Sequence, residues 1–258
     1  MSKNFNKLNI LALIPARMGS SRFPGKPMAK ILGKPMIGHV YEKVSSSNLL
    51  NKVVVATCDN EILDYINKTG GEAVMTSNKH ERASDRCAEA LIILEKKYRT
   101  QYDIIVMVQG DEPLVNSSMI NEALKPMIDD QSIKVVNLLG EIKDEDEFND
   151  QNCIKVVCDL NMNAMYFSRQ PIPTKNRSFD VQIGKQVCII PFRREYLIEY
   201  TNLEPTPLEI TESIDMLRVI ENGDKVKMVE TKHFNQSVDT QEDLKKVSAL
   251  INNQELKL

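Results

Sequence analysis

Residues 14–27 read Ile14-Pro15-Ala16-Arg17-Met18-Gly19-Ser20-Ser21-Arg22-Phe23-Pro24-Gly25-Lys26-Pro27, and their reading decides the fold class. They continue a short apolar run, residues 8–14, that has the character of a buried first strand. The strand empties into a loop holding Gly19, Gly25, two serines and the cations Arg17, Arg22 and Lys26. Small residues let backbone N–H groups approach phosphate oxygens, and the cations neutralise them. The plain alternative is a basic surface loop. Three cations within ten residues at a strand's carboxyl end argue against it, because ligands of open α/β sheets bind there. The loop is not a Walker A motif, since Pro27 follows Lys26 where that motif needs Ser or Thr.

Outward from this loop, short β-branched runs alternate with helical patterns. Strands are expected at 52–57, 72–76 and 102–108, and helices at 36–45, 61–69 and 84–98. Near-continuous apolar strands separated by helices predict an α/β fold with a parallel sheet covered on both faces. Beyond residue 110 the pattern mixes. Residues 132–139 and 153–159 read as strands flanking an acidic stretch, 141–150, expected to be a solvated loop. Pro171, Pro173 and Asn176 mark an irregular loop. Residues 186–191 and 225–230 read as strands and 210–221 as a helix. Residues 239–253 read as a closing amphipathic helix with Asp239 or Thr240 near its cap. With no repeat or linker, one domain over 1–258 is expected, with about 160–210 as a projecting subregion.

A net charge of −3 and a pI near 5.8 give no support for nucleic-acid binding, so the cationic loop points to a small anionic ligand. No run of about 18 apolar residues suggests a membrane span. The polar start, residues 1–7, and the short apolar stretch behind it read as a lead into a strand and not as a signal peptide. Cys58, Cys87, Cys153, Cys158 and Cys188 are odd in number and form no CxxC pair. They are expected to be small buried hydrophobes in a reducing cytoplasm.

Three further stretches bear on chemistry. Val108-Gln109-Gly110-Asp111-Glu112-Pro113 follows the strand at 102–108, where an acid is well placed to hold Mg²⁺ beside phosphates. Asp239-Thr240-Gln241-Glu242-Asp243 is, by spacing alone, an ordinary helix start. His80-Glu81-Arg82-Ala83-Ser84-Asp85-Arg86 opens a helix and adds two cations, with His80 expected at the surface or in packing. No Gly-x-Ser-x-Gly or HExxH motif is present, so phosphoryl or nucleotidyl transfer is the chemistry suggested.

Pro15-Ala16-Arg17-x-x-Ser20-x-Arg22-x-Pro24-Gly25-Lys26, Gln109-Gly110-Asp111-Glu112-Pro113, Tyr166-Phe167-Ser168-Arg169-x-Pro171-Ile172-Pro173 and Val238-Asp239-Thr240-x-Glu242-Asp243-Leu244 together resemble the CMP-Kdo synthetases (3-deoxy-manno-octulosonate cytidylyltransferases), in order and approximate spacing over nearly the whole chain. The resemblance implies a Rossmann-like, glycosyltransferase-A-like nucleotidyltransferase fold with a mixed, mainly parallel central sheet. It implies transfer of CMP from CTP to an acidic sugar, release of pyrophosphate, a Mg²⁺ cofactor, and a homodimer formed through the later part of the chain. Carried over by motif, Arg17, Lys26 and Asp111 are catalytic. Pro15, Ala16, Ser20, Arg22 and Arg86 join Arg17 and Lys26 around the nucleotide. Asp111 and Asp239 bind the metal. Gln109, Arg169, Gln186 and Glu212 contact the sugar acid.

The chain departs from the family where His-x-Ser-Gly-Thr-[Asp/Glu]-Arg is usual: Arg82 and Ala83 stand for Ser and Gly. Gln186 and Cys188 stand for the His and Gly of Lys-His-Ile-Gly-Ile-Tyr, and Met107 for a common Asn. Arg82 and Gln186 are expected to alter the donors facing the acceptor, so that a related acidic sugar is preferred to 3-deoxy-manno-octulosonate itself. A nucleotidyltransferase for another acceptor and a catalytically silent nucleotide-binding protein stay open as alternatives.

Overall fold

The computed structural model describes residues 8–20, 22–174 and 183–255. The expectations for residues 1–7, Ser21 and Asn176 therefore lie outside the described residues. The first strand is β1 (Ile10–Ala16). A 3-10 turn at Lys26–Met28 and a small hairpin, β2 (Lys30–Ile31) and β3 (Lys34–Pro35), lead into α1 (Met36–Ser45). Then come β4 (Lys52–Thr57), α2 (Asn60–Lys68), β5 (Ala73–Met75), α3 (Ala83–Tyr98) and β6 (Ile104–Val108). These match the sequence expectations within two or three residues.

The second half differs more. α4 (Ser117–Asp129) fills a stretch to which the sequence reading assigned no element. Its apolar face, Met119, Ile120, Ala123, Leu124 and Met127, is buried, and the Asn116 side chain accepts the Met119 N–H at 3.1 Å as its cap. After β7 (Val136–Glu141), the acidic stretch is not wholly loop but contains α5 (Glu145–Asn149), capped by Asp144, with Phe148 buried beneath it. β8 (Lys155–Cys158) and β9 (Ala164–Ser168) form a hairpin. The strand expected at 186–191 is two, β10 (Gly184–Val187) and β11 (Ile189–Arg193), one in each sheet, and α6 (Arg194–Thr201) follows. The helix expected at 210–221 is broken into α7 (Pro207–Glu212) and α8 (Met216–Glu221), because Ser213 takes a left-handed φ of 54° and ends the first turn run. β12 (Lys227–Thr231) and α9 (Gln241–Glu255) close the chain.

The strands make two five-stranded sheets, ordered β11-β6-β1-β4-β5 and β12-β7-β10-β8-β9. The first is parallel except for β11. The second is mostly antiparallel, with β12 and β7 parallel. Alternate residues explain why β1 is apolar throughout. Leu11 and Leu13 pack on one face with residues of α3, α6 and α8, and Ile10, Ala12 and Ile14 pack on the other with residues of α1, α2 and α4. A strand buried on both faces has no polar phase. A smaller core of Ile31, Met36, Leu114, Val238, Val247 and Ile251 fastens α9 to the β2–β3 hairpin. The stretch 160–210 supplies β11 to the edge of the first sheet and β9 and β10 to the second.

Candidate active site

Strand order reverses at β1: β4 and β5 are added on one side of it and β6 on the other, and β6 and β1 are adjacent and parallel. Such a switch point leaves a crevice at the carboxyl ends of both strands. The 17–25 loop leaves β1 there, and Gln109-Gly110-Asp111 leaves β6 beside it. Gly110 is where the two loops touch: a Cβ placed on it would lie 2.9 Å from the Pro15 carbonyl oxygen and 3.3 Å from the Ala16 side chain. Pro15 and Ala16 are buried under that contact. Within the first loop, Gly25 takes a left-handed φ of 75° and donates its N–H to the Met18 carbonyl at 3.0 Å. The Ser20 hydroxyl accepts the Phe23 N–H at 3.3 Å, so Ser20 shapes the turn.

Lys26 occupies the centre. Its Nζ lies 2.6 Å from Asp111 Oδ2 and 3.3 Å from Asp239 Oδ1. Burial alone lowers the pKa of an ammonium, but the charges and hydrogen bonds of Asp111 and Asp239 outweigh it and hold Lys26 above its ordinary value. Arg22, exposed, adds a second ion pair to Asp239 Oδ1 at 2.9 Å. Arg17 is exposed on the rim and donates to the His80 carbonyl at 3.4 Å. Asp239 is not the cap of α9. Thr240 is: its hydroxyl accepts the Asp243 N–H at 3.2 Å, and the Asp243 carboxylate accepts the Thr240 N–H at 2.9 Å. The Asp239 carboxylate is thereby left to the cations.

The structure also brings residues to this site that the sequence reading missed. Glu112, 3% exposed, accepts a hydrogen bond from Asn235 Nδ2 at 2.8 Å. Burial, with the adjacent Asp111 charge, pushes its carboxyl up to about 8. Asn152 accepts a hydrogen bond from Arg22 Nη1. Neither had a spacing signal, because both act across large sequence separations.

Arg86 lies close by but is turned inward. It is 2% exposed and donates to Thr76 Oγ1 at 2.6 Å and to the Ser77 and His80 carbonyls. It braces the loop before α3, whose His80 carbonyl also receives Arg17. The His80 ring pairs with Glu89.

Glu212 and Arg169 come together at the end of β9. The Glu212 carboxylate accepts from Ser168 Oγ at 3.1 Å, Tyr166 Oη at 3.3 Å and the Arg169 N–H at 2.9 Å. The Arg169 guanidinium donates to the carbonyls of Glu212, Gln151 and Ser213 at 2.6, 2.9 and 3.3 Å. Gln109 follows β6 and donates its N–H to the Cys188 carbonyl at 3.2 Å.

The two departures singled out in the sequence are both taken up by protein partners. Arg82 lies 3.2 Å from Asp215 Oδ1 and 3.7 Å from buried Glu209 Oε1, and donates to Ser213 Oγ at 3.3 Å. Gln186 Nε2 donates to Asn137 Oδ1 at 2.7 Å. Both groups thus make internal polar contacts. The cysteines are corrected in part. Cys87 is buried as expected, but Cys58, Cys153, Cys158 and Cys188 are half-buried, and all five are free.

Among the described residues no three of His, Cys, Asp or Glu gather as a metal site. What gathers is two carboxylates on one cation. Asp111 and Asp239 offer hard oxygen donors converging on a positive charge, which fits Mg²⁺, an ion held by one or two carboxylates plus phosphate oxygens and water. No helix of the described residues is long and apolar enough to cross a membrane.

Comparison with known proteins agrees with this arrangement. Residues 11–249 match the family model described as Cytidylyltransferase. The chain is 41% identical over 251 residues to the 3-deoxy-manno-octulosonate cytidylyltransferase of Geobacter metallireducens, covering 93% of this chain and 96% of that protein. It is 39% identical to the protein of the same name from Fusobacterium nucleatum, covering 97% and 100%. A solved CMP:2-keto-3-deoxy-manno-octonic acid synthetase complexed with CTP superposes with a TM-score of 0.87 at 35% identity, covering 95% of this chain and 99% of that one. A match of this extent, over a site built from the motif residues themselves, means that the chain belongs to the cytidylyltransferase family.

Proposed function

We propose that the protein transfers CMP from CTP to 3-deoxy-manno-octulosonate and releases pyrophosphate. The observation that carries this reading is the convergence of Lys26, Arg22, Asp111 and Asp239 at the carboxyl ends of β1 and β6. In this reading Arg17, Arg22 and Lys26 hold the triphosphate and neutralise the departing pyrophosphate. The loop at Pro15, Ala16 and Ser20 gives the backbone its close approach to phosphate, and Arg86 holds the adjoining 76–80 loop in shape. Asp111 and Asp239 hold Mg²⁺, which supplies charge neutralisation at the phosphate under attack. Lys26, released from Asp111 and Asp239, would turn its ammonium to the phosphate oxygens. Gln109, Gln186, Arg169 and Glu212 form the acceptor side. Arg169 spends three of its five N–H donors on backbone carbonyls and keeps two, one on each Nη, for the sugar carboxylate.

Arg82 and Gln186 each spend donors on protein partners, which supports 3-deoxy-manno-octulosonate itself as acceptor. A single nucleotidyltransferase domain and a homodimer complete the reading. Apolar side chains exposed on the β8–β9 hairpin, Leu160 and Met165, are surface that a dimer contact covers. Five free cysteines suit a reducing cytoplasm. The deciding experiment measures pyrophosphate release from each nucleoside triphosphate, with and without Mg²⁺, against a panel of acidic sugars. CTP with 3-deoxy-manno-octulosonate is expected to be the best pair. Equal or better turnover with another sugar or nucleotide overturns the assignment.

A further inference from the structure

Lys155 has no accessible surface, although it lies in β8 between Ile154 and Val156. An ammonium has three N–H donors, and all three are used on backbone carbonyls: Asp150 at 2.7 Å, Cys153 at 2.6 Å and Arg169 at 2.7 Å. Burial lowers its pKa, as it does for any ammonium removed from water. A lysine is an expensive way to fill a core position, so the three carbonyls it gathers are what distinguish it from an apolar residue there.

Those carbonyls belong to two places. Asp150 and Cys153 bracket a turn, and Arg169 directly follows β9. The turn between them faces both halves of the site. The Gln151 carbonyl accepts from Arg169 Nη1 at 2.9 Å. The Asn152 side chain accepts from Arg22 Nη1, and Arg22 Nη2 is 2.9 Å from Asp239 Oδ1. The 150–153 turn is thus a strut between a phosphate-side cation and an acceptor-side cation, and Lys155 is the pin beneath it.

We propose that Lys155 is a positioning residue: by stapling the 150–153 turn to Arg169, it sets the separation between Arg22 and Arg169, and so between the two substrates. The inference rests on the reading of those arginines as nucleotide-side and sugar-side groups. In-line attack needs the hydroxyl and the phosphorus aligned at close range, and misplacement by about 1 Å costs roughly 10²-fold in rate.

The test is steady-state kinetics with CTP and 3-deoxy-manno-octulosonate on wild type, Lys155→Met, Asn152→Ala and the double variant, with melting curves for each. Methionine keeps the stem and removes the three donors. Lys155→Met is expected to lower kcat/KM for both substrates by roughly 10²-fold. Asn152→Ala, at an exposed position, is expected to raise KM for CTP and leave KM for the sugar unchanged. In the Lys155→Met background the Asn152→Ala effect is expected to vanish, because the unpinned turn no longer holds Asn152 against Arg22. Full additivity, or Lys155→Met with both KM values and kcat unchanged, overturns the inference. Should Lys155→Met not fold, Asn152→Ala alone decides it, and an unchanged KM for CTP overturns it. A wild-type protein inactive on this substrate pair sinks the functional reading instead, so the two failures are told apart.

Discussion

The backbone N–H of Val238 donates to the carbonyl oxygen of Asp111 at 3.0 Å. This bond ties the segment before α9 to the loop after β6, and it sets the Asp239 carboxylate beside that of Asp111, with Lys26 Nζ between them. The carboxylates owe their convergence to main-chain pairing, so their spacing does not depend on the charges they carry.

Removing the central cation is expected to hurt turnover more than folding. Lys26→Met retains the stem but removes the ion partner of Asp111 and leaves Asp239 with Arg22 alone. Turnover on CTP should fall roughly 10²–10³-fold, the range for charge-stabilising donors. Initial rates at saturating CTP and Mg²⁺ check this, and near wild-type turnover takes Lys26 out of the mechanism.

Asp239→Asn should keep the fold, because Thr240 and Asp243 cap α9 without it. Mg²⁺-dependent turnover is expected to be lost. A melting curve and a Mg²⁺ titration of CTP consumption, run on one preparation, separate the two effects. An active variant refutes the assignment of Asp239 to the metal.

Glu112 links stability to pH. Burial and Asp111 raise its folded pKa to about 8 from an ordinary value of 4.5. The folded state therefore binds the proton more tightly than the unfolded chain. The stabilisation is complete below about pH 4.5 and is lost as pH rises through about 8. Glu112→Gln cannot ionise, and its amide has a partner ready in Asn235 Oδ1, a buried acceptor with no hydrogen bond. Without Mg²⁺ or CTP, the melting temperature of wild type is expected to fall relative to Glu112→Gln between pH 6 and 9. Parallel pH profiles for the two proteins contradict this.

Arg82→Ser removes the ion partner of Asp215, whose pKa burial raises. Arg82 is only partly buried, so the loss is expected to be about 1–2 kcal/mol, a drop of a few degrees in melting temperature. kcat/KM for 3-deoxy-manno-octulosonate should change little beside that. A marked gain or loss of acceptor preference, measured against amino- and deoxy-substituted ulosonates, restores Arg82 to a role in specificity.

Much of the first sheet was legible because its strands are buried on both faces. β4 and α1 were placed to the residue, and the loops after β1 and β6 carried the phosphate and metal motifs in full. α4 was missed: its Asn116 cap and apolar spacing stand in the sequence, but Pro126 within it obscured the pattern. The break between α7 and α8 was hidden, since it depends on a left-handed Ser213, a conformation a non-glycine residue adopts only when its surroundings hold it there. Lys155 left one trace, a lone cation inside an apolar run, whose meaning depended on carbonyls as distant as that of Arg169.

By itself the sequence determined the α/β class, the position of the cationic loop after β1, and the acidic loop after β6, because periodicity and local composition are properties of the chain. Tertiary structure decided the rest. It allotted the helix cap to Thr240 and left Asp239 to the cations, and it turned Arg86, Arg82 and Gln186 toward protein partners. It also gathered Lys26, Asp111 and Asp239 within hydrogen-bond reach. Which donor meets which acceptor across a fold depends on strand order and backbone pairing, and those are settled by how the whole chain packs and not by any one stretch of it.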